Sequence, residues 1–193
     1  MRTLILGLGN EYAGDDAVGV LAVRALRGEP AAGADIVHSA ASGLALLEIF
    51  AGYDRAVIVD AIRTGRNPAG TIIEAGLADL GPATAPSLHQ AGIPELAAIA
   101  RQLGMGFPDR TRVLAVEIAG PLMFGAPLSE PVAAAIAPLA QRILKQIQQW
   151  ASQDPPPKPP GHTRHQPPDR PRHSPDNTTP HQPGGTPCTT TTR

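Results

Sequence analysis

Apolar residues recur along this chain with two periods, and the periods alternate. Thr3-Leu4-Ile5-Leu6 is a short continuous apolar run closed by Gly7-Leu8-Gly9-Asn10, the pattern of a strand buried on both faces. From Asp15 the period lengthens. Val18, Leu21, Ala22, Ala25 and Leu26 return at helical spacing up to Gly28, and Asp15 and Asp16 stand at the N-terminal end, where the helix dipole favours negative charge. Ile36-Val37-His38 predicts a second, weaker strand, and Gly43 to Phe50 a short helix with Leu44, Leu47 and Phe50 on one side. In Arg55 to Asp60, small and β-branched apolar residues precede a carboxylate, which predicts a third strand with Asp60 at its end.

Gly70 to Glu74 is a fourth strand. The nine residues between Asp60 and Gly70 are fewer than a helical crossover needs, so this strand should run antiparallel to its predecessor. A loop from Gly76 to Leu88 leads to a helix through Leu96, Ala97, Ile99, Ala100 and Leu103. Arg112 to Ile118 is a fifth strand, and Ser129 should cap a last helix that ends near Trp150. Strands alternating with helices imply an α/β fold: a three-layer open twisted sheet of about five strands, mostly parallel with one antiparallel strand, with helices on both faces.

Composition divides the chain near Trp150. Residues 151–193 hold 12 of the 22 prolines, four of the six histidines and two apolar residues, Ala151 and Cys188. A segment of this kind buries too little apolar surface to offset its ordering entropy, so 151–193 should be a disordered tail behind a domain of residues 1–150. The net charge of −1 excludes nucleic-acid binding through bulk positive charge. A single cysteine excludes an internal disulfide and a thiolate metal cage. No stretch approaches the ~20 apolar residues of a membrane span, and Met1 to Asn10 has no cleavage site behind its apolar run. These features predict a cytoplasmic protein.

Gly7-x-Gly9 between a strand and a helix half-matches a dinucleotide-binding turn. Three features oppose that reading: Tyr12 stands where the third glycine belongs, Asp15 and Asp16 would repel a pyrophosphate, and His38-Ser39 replaces the acid that holds a ribose. No nucleotide cofactor is expected. Instead the glycines form a tight turn that presents Asp16 at the carboxyl edge of the sheet, where Asp60 also emerges. His89 lies near the start of the third helix. The thirteen loop residues from Gly76 to Leu88 span up to ~40 Å, enough to return it to that edge. Asp16, Asp60 and His89 can therefore converge, and two carboxylates with one imidazole suit a divalent metal with positions left open for substrate or water.

Gly7-x-Gly9-Asn10 with Asp15-Asp16-x-x-Gly19, then Val59-Asp60-Ala61, then His89-Gln90-x-Gly92, then Gly125-x-x-Leu128-Ser129-x-x-Val132, resembles in order the hydrogenase maturation endopeptidases. The resemblance runs from Met1 to about residue 148 and omits the tail. It implies a peptidase, aspartic-type or metal-assisted, that removes the C-terminal extension of a nickel–iron hydrogenase large-subunit precursor. It also implies that Asp16, Asp60 and His89 coordinate metal, with Asp16 and Asp60 as the catalytic carboxylates. Nickel is then presented by the substrate rather than permanently bound. Two positions depart from the family pattern: Asp16 is a methylene shorter than the Glu of some relatives, and His38-Ser39 stands where an acidic residue is frequent, which makes His38 a candidate cleft residue. The enzyme is expected to act as a monomer, without nucleic acid or membrane. A non-catalytic nickel-binding maturation chaperone and a metal-assisted hydrolase or aminopeptidase are the rival readings.

Overall fold

A computed structural model describes residues 1–28, 33–80 and 92–154 of the chain. Five strands, β1 (Thr3–Leu8), β2 (Asp35–Ser39), β3 (Arg55–Ile62), β4 (Ile72–Gly76) and β5 (Arg110–Glu117), form one sheet in the order β2-β1-β3-β5-β4. All neighbours are parallel except β4 with β5. The fourth strand does run against the third, yet the two are not neighbours, because β5 returns between them. β1 and β3 are buried along their whole length, as continuous apolar runs at the centre of a parallel sheet should be. β2, at the edge, is largely exposed.

Alternation along the strands divides the core between the two faces. Ile5, Val57, Val59, Leu114 and Val116 pack with α1 (Val18–Arg24) and α4 (Glu130–Gln153). Leu4, Leu6, Ile58 and Val113 face the other way, onto α2 (Leu46–Phe50) and α3 (Ile93–Gln102). Helices therefore cover both faces. The first two helices are shorter than the apolar periodicity predicts, because 3-10 turns at Gly14–Ala17 and Gly43–Ala45 precede them.

Two further expectations are corrected. Ser129 occupies the N-cap position of α4, but its side chain makes no capping bond within that helix. And α4 runs through Gln153, past the boundary at residue 150, because its last turn is anchored to the sheet. Trp150 is buried, with the Arg55 and Arg110 guanidinium groups each 5.6 Å from its ring centroid. Asp154 pairs with the nearly buried Arg55 at 2.9 Å. Residues 155–193, with the four tail histidines and Cys188, lie outside the described residues. Among the described residues no helix is long and apolar enough to cross a membrane.

Candidate active site

From β1 the chain passes by α1 to β2 on one side and later, by α2, to β3 on the other. The carboxyl ends of β1 and β3 therefore border a crevice at a topological switch point, where open α/β sheets take their ligands. Three glycines bring the α1 segment down onto this crevice. A Cβ at Gly7 would stand 2.5 Å from the Gly19 carbonyl oxygen, and one at Gly9 1.9 Å from that of Asp16. One at Gly19 would stand 2.3 Å from the Leu8 oxygen and 2.4 Å from that of Val59. No side chain fits at these contacts. The glycines thus serve the close approach of backbone to backbone.

Asp16 sits at the base of that approach. It is buried, on the 3-10 turn ahead of α1, and its Oδ2 accepts a 2.7 Å hydrogen bond from the Asn10 backbone N–H. Asn10 in turn accepts the Tyr12 N–H on its own side chain at 3.0 Å, which shapes the turn from β1. Asp60 does not end its strand as expected: β3 continues to Ile62. Its place is nonetheless the crevice, one residue beyond the last β1–β3 pair, Gly7 with Val59, and opposite Ala115 of β5. The residue is completely buried. Ala56, Ile58 and Ile62 share its parity in β3 and pack towards α2 and α3, so the carboxylate is directed to that face. Its Oδ1 accepts the Ala61 N–H at 2.8 Å.

The third expected donor, His89, lies outside the described residues, and so does Gln90. Gly92, three residues on, opens α3 in a left-handed conformation at φ 119°, and Ile93 buries the first turn in the core on Asp60's side of the sheet. Among the described residues no group of three His, Cys, Asp or Glu stands close enough to hold a metal. Of the three expected residues, the two that are described, Asp16 and Asp60, are both buried.

His38 is exposed on the edge strand. It lines a cleft of about 120 Å³ with Gly9, Asn10, Glu11 and Tyr12, beside the turn that carries Asp16. Glu11, on this rim, pairs with Arg24 at 2.6 Å. The Arg24 hydrogen bond holds the Glu11 carboxyl below its ordinary value of 4.5.

The pairing of Asp15 with Ser129 was not visible in the sequence. Asp15 Oδ1 accepts the Ser129 N–H at 2.6 Å and Oδ2 accepts the Ser129 hydroxyl at 2.9 Å. The carboxylate thus takes the capping role at α4, and ties the Asp16 turn to that helix. Adjacent acids at 15 and 16 look alike in sequence, and they do different work. Glu117 was missed as well. Buried at the end of β5, it accepts the Thr64 and Gly65 N–H groups at 2.6 and 2.8 Å and folds the loop that leaves β3. A carboxylate closing an apolar run was the signal.

The chain matches, over residues 21–146, the family described as hydrogenase maturation protease. That span includes Asp60 and His89 and begins after Asp16. The hydrogenase expression/formation protein HupD of Rhizobium leguminosarum bv. viciae is 29% identical over 154 residues, spanning 77% of this chain and 75% of its own. Among solved structures, the hydrogenase maturating endopeptidase HybD of Escherichia coli is 28% identical with a TM-score of 0.64, covering 78% of this chain and 94% of that one. The [NiFe] hydrogenase maturation protease HybD of Thermococcus kodakarensis is 25% identical with a TM-score of 0.57, covering 78% and 99%.

Proposed function

Because the chain belongs to the hydrogenase maturation protease family, we propose that it removes the C-terminal extension of a nickel–iron hydrogenase large-subunit precursor once nickel has been inserted. What supports this reading is the burial of two carboxylates on neighbouring segments of the sheet edge, Asp16 in the turn after β1 and Asp60 near the carboxyl end of β3. The donor chemistry suits the cargo. Two carboxylates and the imidazole of His89 offer oxygen and nitrogen ligands without a thiolate, a set that binds nickel without closing its coordination sphere. Such a site reads a metal held by the substrate and leaves it there. A tight closed cage would strip nickel from the product.

In the proposed reaction one carboxylate takes a proton from the water that attacks the scissile carbonyl carbon, and the second acid or the substrate's metal polarises the carbonyl. The proton is delivered to the leaving amine as the C–N bond breaks. The Asn10 N–H fixes one oxygen of Asp16 and so sets which lone pairs face the crevice. The reading places the enzyme in the cytoplasm as a monomer, where its lone cysteine needs no disulfide partner.

The test is cleavage of purified nickel-loaded and nickel-free precursor, followed as a mass loss. The wild type should cut only the loaded form. Asp60→Asn is nearly isosteric and should keep the fold while lowering the rate at least ~100-fold, the scale of a lost general base. Binding without cleavage by the wild type would favour a maturation chaperone. Equal cleavage of metal-free precursor, or turnover of unrelated short peptides, would favour a general hydrolase.

A further inference from the structure

Residues 119–129 form an eleven-residue stretch without a charge, Ala-Gly-Pro-Leu-Met-Phe-Gly-Ala-Pro-Leu-Ser. Leu122 and Leu128 turn inward onto the α1/α4 core. Between them Met123 and Phe124 turn outward, 62% and 82% exposed. Tyr12, 62% exposed, lies against Phe124 with ring centroids 6.0 Å apart. The arrangement is fixed from behind. The Gly125 N–H donates to the Tyr12 carbonyl at 2.7 Å, the Asp15–Ser129 bonds close the far end, and Gly14 packs at the Met123 and Pro127 carbonyls.

Two aromatic rings and a thioether, held outward by a braced loop, make an apolar contact surface of the kind that marks protein association. Its position names the occupant. Tyr12 belongs both to this surface and to the cleft it lines with Asn10 and His38, and Asn10 holds Asp16. A polypeptide that reaches the Asp16 turn by way of this cleft passes over this rim. We infer that Tyr12, Met123 and Phe124 are the surface on which the folded body of the protein substrate docks while its C-terminal segment occupies the crevice. The inference rests on the peptidase reading for the identity of the substrate. It concerns binding of the substrate body, away from the reacting atoms.

The test uses the full chain and a full-length nickel-loaded precursor. Met123→Ser with Phe124→Ser should raise KM about tenfold with kcat unchanged, the scale of losing central apolar anchors. Phe124→Leu should restore most of the binding, because it keeps apolar area at the same site. Both positions are exposed, so thermal stability should not move. An unchanged KM in the double variant overturns the inference. A photocrosslinking benzophenone side chain at position 124 separates docking from catalysis. Crosslinks to the precursor support docking even where the wild type binds without cutting, an outcome that removes the peptidase step alone. Crosslinks only between copies of this chain, or none to the precursor, overturn it.

Discussion

A methyl group added at Gly19 would lie 2.3 Å from the Leu8 carbonyl oxygen and 2.4 Å from that of Val59, and both oxygens belong to strands of the sheet, which cannot retreat. Gly19→Ala should therefore destabilise the fold by about 3 kcal/mol, the upper range of overpacking, as read by urea denaturation. It should also reduce cleavage in the fraction that remains folded, since the Asp16 turn is lifted from the crevice. A second expectation at this scale concerns the rim. Arg24 holds the Glu11 carboxyl below its ordinary 4.5, so Glu11 is more acidic folded than unfolded. The stabilising contribution of the pair is present above the unfolded value and is lost as pH falls through the lowered folded one. An NMR titration should find the Glu11 carboxyl midpoint below 4.5, and Arg24→Gln should return it upward.

Elements meet at this site through a few side-chain bonds. Asp15 is the clearest: its carboxylate takes both donors of Ser129 at the start of α4, where the helix's unpaired N–H groups favour an anion. Asp15→Ala should lower stability by about 1 kcal/mol, as loss of a cap does. It should also speed amide exchange at Gly125, whose N–H bonds Tyr12 across the same junction. Ser129→Ala keeps the backbone bond and should have a smaller effect on both. If exchange at Gly125 is unchanged in Asp15→Ala, the latch does not hold the rim. Asp16→Asn, at a position proposed to take part in cleavage, differs in kind, since the Asn10 N–H can still donate to an amide oxygen. That variant should retain the fold and lose cleavage.

On the scale of the whole molecule, the end of α4 closes the bottom of the sheet. Trp150 packs against the Arg55 and Arg110 guanidinium groups, Gln153 accepts from Arg110, and Asp154 neutralises the buried Arg55. A chain ending at Pro155 retains all of these contacts and should melt with the full-length protein within about a degree, since the segment beyond it is nearly free of apolar side chains. A chain ending at Gln149 loses the tryptophan and uncovers two guanidinium groups. It should be destabilised by about 3–5 kcal/mol, the scale of removing a core Trp. Calorimetric melting of the two truncations side by side distinguishes this clasp from a helix end that merely frays.

The alternation of strand and helix, the antiparallel fourth strand and the burial of β1 and β3 were legible in the residues themselves. Hydrophobic period and loop length are local quantities, and they follow directly from which groups avoid water and how far a chain reaches. Asp16 and Asp60 stood out as candidates for a related reason, a carboxylate beside a glycine turn or within an apolar run, and both are buried in the fold. What each acid does was not local. Asp15 and Asp16 are consecutive, yet one bonds Ser129 at the start of α4 and the other the Asn10 N–H after β1, and that division depends on where a loop more than a hundred residues away comes to rest. The place of β5 between β3 and β4, the extension of α4 to Gln153 and the outward pair of Tyr12 and Phe124 are of the same kind. Each is decided by contacts between segments distant in sequence, whose energies appear only once the sheet has assembled.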